Sequence, residues 1–195
     1  MEVLNKSLEV LKNIKFNYFT LFMVSLFFIF YRILKNKNNV PTQNQLEAHK
    51  AKALVLNCMD FRLVDDVVKN MDDIGLNNNY DNIVLAGGSL HLVCDKHSDD
   101  KPCELHDHFN YYFFKHIDLA ISLHDIKKVI IIEHEDCGAY KKIYGEDIYK
   151  KDMVAYHKNN FTLIDKMIRD NDKYKNLDTE YYIMNLEGHI KKIIL

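Results

Sequence analysis

Four short, uninterrupted apolar runs constrain the fold of this chain most strongly. They are ALVL at 53–56, IVLA at 83–86, VIII at 129–132 and YYIM at 181–184. Runs of this length without polar interruption are typical of strands that are buried on both faces of a parallel sheet. The segment HIKKIIL, which follows a plausible turn at Glu187-Gly188, suits a last strand at the sheet edge.

The segments between these runs favour helices. Helical spacing or helix-forming composition is found at 63–71, 104–123, 139–147 and 152–169. Strands that alternate with helices predict an α/β domain. We therefore expect residues 51–195 to form one domain, with a mainly parallel sheet of four to five strands flanked by helices.

The N-terminal segment, residues 1–35, differs from the rest of the chain. Residues 16–31 carry no charge, and the apolar character continues to residue 34 apart from Arg32. At about 1.5 Å per residue, a helix over 16–34 nearly matches the hydrocarbon thickness of a bilayer. The pattern predicts a single-pass membrane anchor, followed by a polar linker at 36–50. The alternative is an apolar helix that packs on the domain or on a partner subunit.

Charge and cysteine content narrow the classes of function. The chain has 195 residues and a formal net charge of −2, so it has no basic surplus for a phosphate backbone, which disfavours nucleic-acid binding. Its four cysteines and ten histidines are more typical of metal ligands or free thiols than of a disulfide framework. We therefore expect the domain to lie in a reducing, cytosolic compartment.

Two motifs with metal-binding side chains follow two predicted strands. Cys58 begins CMDFR directly after ALVLN, and HEDCG, which contains His134 and Cys137, follows VIIIE. The carboxyl ends of strands are where α/β sheets usually place their sites. Two thiolates and an imidazole can bind zinc and leave a tetrahedral position open, as in catalytic sites. Gly138 would let the backbone turn tightly into the next helix.

Asp60 and Arg62 lie beside the first predicted ligand. Their spacing of two allows both side chains to project from one side of an extended loop. Arg62 can then hold the carboxylate of Asp60 through two parallel hydrogen bonds. An aspartate held in this way stays ionised, and it can accept a hydrogen bond from a metal-bound water or fill the fourth metal position itself.

These motifs resemble those of the β-class carbonic anhydrases. CMDFR and HEDCG resemble the C-x-D-x-R and H-x-x-C-G signatures of that family, and Ala-Gly-Gly at 86–88 resembles its small-residue turn, here with Gly87 and Gly88. The resemblance covers roughly residues 50 to 190. It implies one Zn²⁺ per chain on Cys58, His134 and Cys137, with Asp60 and Arg62 as a catalytic dyad at the fourth position. It also implies a homodimer or larger homo-oligomer.

The activity implied by the resemblance is the reversible hydration of carbon dioxide to bicarbonate by a zinc-bound hydroxide. Two alternatives remain open at this point. One is hydrolysis of carbonyl sulfide or carbon disulfide at the same centre, and the other is a non-catalytic, membrane-tethered zinc-binding module. By spacing alone, four further residues could form a second, closed zinc site. They are Cys94, His97, Cys103 and His106.

Overall fold

The structure is a computed structural model that describes residues 18, 20–31, 49–93 and 106–195, with the backbone alone at 106 and 148. The chain divides near residue 45 into two units. In the first unit residues 20–31 form helix α1, with exposed side chains. In the described part of the chain, no helix is long and apolar enough to cross a membrane. The predicted anchor at 16–34 therefore lacks support, and most of the predicted linker at 36–50 lies outside the described residues.

The second unit contains a five-stranded sheet. Its strands are β1 (Ala53–Cys58), β2 (Tyr80–Leu85), β3 (Lys128–His134), β4 (Asp178–Met184) and β5 (Ile190–Ile193). The spatial order is β2-β1-β3-β4-β5, and only β5, paired with β4, is antiparallel among these strands. The predicted α/β fold with a mainly parallel sheet and a last edge strand is confirmed.

Helices connect the strands. They are α2 (Val64–Asp73), α3 (Leu90–Val93), α4 (His106–His124), α5 (Gly138–Tyr144), α6 (Glu146–Lys151) and α7 (Met153–Arg169). The predicted helix at 139–147 is in fact two helices, because Gly145 adopts a left-handed φ of 88° that no regular helix contains. The four-residue helix α3 was not predicted.

Each face of the sheet is covered by its own helices, because successive strand side chains point to opposite faces. Leu54 and Leu56 of β1 belong to the cluster that contains Phe113 of α4 and Phe161 of α7. The intervening residues of β1 pack instead with α2 in a second cluster. The apolar runs of β1, β3 and β4 are buried on both sides of the sheet, which explains their continuously apolar sequences, whereas β2 at the sheet edge leaves Val84 half exposed.

Candidate metal centre

The three predicted ligands meet at one edge of the sheet. Cys58 is the last residue of β1 and His134 is the last residue of β3, and these two strands are parallel neighbours. Cys137 lies in the turn that leads from β3 to α5. One potential ligand atom from each of the three residues lies within 4.8 Å of the other two. The strand register therefore brings together two motifs that are far apart in the sequence.

The histidine is oriented for metal binding. Its Nδ1 lies 2.7 Å from the carbonyl oxygen of Glu135, so Nδ1 carries the proton and donates it. The other ring nitrogen, Nε2, is then an acceptor, and among the described residues it has no hydrogen-bond partner although it is buried. A backbone carbonyl that fixes the tautomer is the usual support of a metal-binding imidazole. With two sulfur atoms beside it, this donor set fits zinc.

The pKa values of the two thiols, Cys58 and Cys137, shift in opposite directions. A hydrogen bond from the Cys137 thiol lowers the pKa of Cys58 to about 4, against the opposing effect of burial and with further help from His134 and the Gly87 N–H. Donation to Cys58 and burial together raise the pKa of Cys137. Burial lowers the pKa of His134, but contact with Cys58 outweighs it and raises that pKa. Without metal, the cluster thus contains one thiolate and one thiol.

Asp60 and Arg62 form the predicted ion pair beside the ligands. Arg62 Nε and Nη2 donate to Asp60 Oδ1 and Oδ2 at 3.0 and 2.7 Å, and the Arg62 backbone N–H donates to Oδ1 at 3.0 Å. These bonds hold the pKa of Asp60 at about 2, so the carboxylate is ionised at neutral pH. Its Oδ2 lies 3.9 Å from His134 Nε2. The carboxylate therefore lies next to the metal ligands with a fixed orientation.

Asp136 is a further member of the site that was not predicted from the sequence. Arg62 Nη1 donates to Asp136 Oδ2 at 3.2 Å, and Lys141 forms an ion pair with the other oxygen of the same carboxylate. The hydrogen bond from Lys141, followed by that from Arg62, lowers the pKa of Asp136. Asp136 has a left-handed φ of 61°, a conformation that aspartate tolerates better than most residues. The sequence signal that could have identified Asp136 is the presence of an aspartate inside a predicted turn.

The three predicted turn glycines differ in their backbones. Gly87 and Gly88 have φ of 71° and 53°, and a Cβ on Gly87 would lie 2.8 Å from the Cβ of Ala139. Gly138 is the first residue of α5, lacks a positive φ and would accommodate a Cβ with nothing within 4 Å. The expected tight turn before α5 is made by the left-handed Asp136, and not by Gly138.

The second candidate zinc site cannot be placed. Cys94, His97 and Cys103 lie outside the described residues, as does the side chain of His106. This site stays a prediction.

Comparison with known proteins identifies the family. A family model described as "Putative carbonic anhydrase" matches residues 48–171. The chain belongs to this family. Two uncharacterised proteins are related to it. One, from Rickettsia bellii, is 30% identical over 159 residues, covering 80% of this chain and 90% of the relative. The other, from Rickettsia conorii, is 28% identical over 159 residues and 80% of each chain.

A solved structure shows the same fold. It is described as one of two tetrameric β-carbonic anhydrases from Sordaria macrospora. It matches with a TM-score of 0.50 at 12% identity, over 92% of this chain and 98% of that one. The resemblance inferred from the two motifs is confirmed, and the low identity makes this chain a divergent member.

Proposed function

We propose that this chain binds one Zn²⁺ through Cys58, His134 and Cys137 and catalyses the reversible hydration of carbon dioxide to bicarbonate and a proton. The observation that carries the proposal is the cluster of three potential ligand atoms, from the half-buried Cys58 and the buried His134 and Cys137, with the Asp60 carboxylate 3.9 Å from His134 Nε2. Zinc bound by these residues would supply Lewis acidity that lowers the pKa of a coordinated water molecule towards about 7.

The residues around the ligands supply orientation and charge. Asp60 is ionised, and its Oδ2 faces the ligand cluster, so it can accept a hydrogen bond from a water molecule there and fix the direction of that water's oxygen lone pair. Arg62 keeps the carboxylate charged and prevents it from rotating, because its guanidinium engages both oxygens. Asp136 holds the guanidinium from the opposite side.

Exposed apolar side chains near Cys58 indicate how copies of this chain assemble. Met59 and Phe61 within the first motif and Val64 just after it are 62%, 86% and 57% exposed, which is unusual for large apolar side chains beside one another. We infer that they lie in the contact between copies of this chain in a homodimer or larger homo-oligomer. Because two of the three ligands are thiols that oxidation would remove, the domain is expected in a reducing compartment. Sedimentation of the full chain tests the assembly, and Phe61→Ser should weaken it.

Stopped-flow carbon dioxide hydration by the zinc-loaded full chain tests the activity. Cys58→Ser should lose both zinc and turnover, whereas the control Ser122→Ala, at an exposed position in α4, should keep both. Asp60→Asn should keep the zinc and lose turnover. A purified wild-type chain that binds no zinc would overturn the site. Zinc without hydration, or with hydrolysis of carbonyl sulfide alone, would overturn the activity.

A further inference from the structure

Glu133 is an ionisable residue directly after the apolar run of β3. It precedes His134 in β3, and none of its surface is exposed. Its Oε1 accepts a hydrogen bond of 2.6 Å from the backbone N–H of Ser89. Buried carboxyl groups are costly and are retained where they make specific hydrogen bonds. The position of Ser89, directly after the Gly87-Gly88 turn, indicates which part of the molecule this carboxyl group holds.

The carboxyl group of Glu133 also packs directly on the turn. A Cβ on Gly88 would lie 2.8 and 2.9 Å from the two carboxyl oxygens, so the backbone there approaches Glu133 as closely as a glycine allows. On its other side, the turn contacts Ala139 through Gly87. The turn is therefore fixed between the end of β3 and the start of α5, the two elements that flank His134 and Cys137.

The Gly87–Ser89 turn also lies beside the third ligand, Cys58. The backbone N–H of Gly87 acts on the Cys58 sulfur, where it favours the thiolate and helps to lower the pKa of Cys58. Cys58 and Leu85 are aligned at the ends of β1 and β2, which places the turn after β2 beside the sulfur. A continuous set of contacts thus runs from Glu133 through the Ser89 amide and the two glycines to Cys58.

We propose that Glu133 is a positioning residue for the metal ligand Cys58, acting through the Gly87–Ser89 turn. Its carboxyl group fixes the turn so that the Gly87 N–H points at the sulfur and holds it in one direction. Outer hydrogen bonds of this kind orient a ligand and reduce its freedom before the metal binds. This inference rests on the metal site proposed above, but it does not depend on carbon dioxide as the substrate.

Three variants separate positioning from general packing. Glu133→Met removes the acceptor while roughly keeping the volume, and Glu133→Gln keeps an acceptor oxygen. The matched control is Ile131→Met, a fully buried site two residues earlier on the same face of β3. We expect Glu133→Met to weaken zinc binding about 10–100-fold, the range typical for loss of such an outer partner. Glu133→Gln and Ile131→Met should bind zinc as the wild type does.

Nuclear magnetic resonance of the chain loaded with an NMR-active cadmium isotope detects the contact between the Gly87 N–H and the Cys58 sulfur directly. The Gly87 amide proton should show scalar coupling to cadmium through the Cys58 sulfur in the wild type, in Glu133→Gln and in Ile131→Met. That coupling should disappear in Glu133→Met. Coupling that survives in Glu133→Met, is lost in Glu133→Gln, or is absent from metal-loaded wild type would overturn the inference. So would equal losses of zinc affinity in Glu133→Met and Ile131→Met.

Wild-type measurements keep the inference testable if Glu133→Met fails to fold. Hydrogen exchange of the Ser89 amide should be as slow as that of the β3 amides, and exchange at the rate of an unbonded amide would overturn the inference. A wild-type chain that binds neither zinc nor cadmium would overturn the metal site together with this inference. Metal binding without the Gly87 coupling would overturn this inference alone.

Discussion

Replacing Gly87 by alanine should destabilise the domain by an amount that follows from two separate effects. The left-handed backbone, with φ of 71°, costs an alanine about 1–2 kcal/mol. The added Cβ would also lie 2.8 Å from the Cβ of Ala139 and 3.2 Å from that of Leu90, and overpacking of this kind costs about 1–3 kcal/mol. The sum lowers the free energy of unfolding by about 2–5 kcal/mol.

Two other glycines provide controls. Gly75 has a φ of 81° but nothing within 4 Å of an added Cβ, so Gly75→Ala should cost only the backbone part, about 1–2 kcal/mol. Gly138 has an equally open Cβ position without a left-handed backbone. Gly138→Ala in the first turn of α5 should therefore be neutral or stabilising by up to about 1 kcal/mol.

Urea denaturation of the three variants of the full chain, followed by far-ultraviolet circular dichroism without metal, measures these differences. The urea concentration at the midpoint should be highest for Gly138→Ala, intermediate for Gly75→Ala and lowest for Gly87→Ala. Equal midpoints for Gly87→Ala and Gly75→Ala would show that the contact with Ala139 imposes no constraint on the turn, and the steric reasoning would then be wrong.

Three further predictions follow from the titratable groups. Arg62→Gln should raise the pKa of Asp60 from about 2 towards its ordinary value, and carbon-detected NMR titration that finds no change would contradict this. In metal-free chain Cys58, with a pKa of about 4, should react with iodoacetamide at pH 6 before Cys137, and zinc should protect it; equal reactivity would refute the assignment. Burial lowers the pKa of His157 to about 3, below its ordinary value of 6.5. The unfolded chain therefore binds a proton at His157 below pH 6.5, whereas the folded chain does not do so until about pH 3. The free energy of unfolding is unaffected by this group above pH 6.5, and it falls by up to about 1.4 kcal/mol per pH unit as the pH drops towards 3. His157→Phe should lose less stability than the wild type between pH 7 and 5 in urea titrations, and an equal loss would speak against this.

The fold and the clustering of Cys58, His134 and Cys137 could be predicted because each depends on a local pattern. Three of the four apolar runs, those of β1, β3 and β4, reflect burial on both faces of the sheet, and recognising them requires no knowledge of the residues they pack against. Once the strands are parallel, their carboxyl ends must lie at one edge, so Cys58 and His134 come together wherever the connecting helices run. The role of Asp60 and Arg62 also depends on a spacing of two within one loop.

The remaining members of the site depend on tertiary contacts that no local pattern reports. Glu133, within VIIIEH, is buried because the Ser89 amide, 44 positions away, meets its carboxyl group. Asp136 is joined to the first motif by Arg62, 74 positions away. The break between α5 and α6 depends on the left-handed conformation of Gly145, which composition alone does not reveal. Each of these features would require the sheet register before it could be inferred.

Arg62 links the two motifs, and this assigns it a greater role than that of a partner of Asp60. Its guanidinium donates to Asp60 in the first motif and to Asp136 in the second, while Lys141 balances the second carboxylate. Two carboxylates and two cations alternate along this row, so each carboxylate faces a cation. Without Arg62, Asp60 would keep only the imidazole of His134, and Asp136 would keep only Lys141. Losing Asp60 leaves Arg62 bound to Asp136, whereas losing Arg62 removes a hydrogen-bond partner from the turns after both β1 and β3. Arg62 is therefore the member of the dyad whose loss disturbs both motifs.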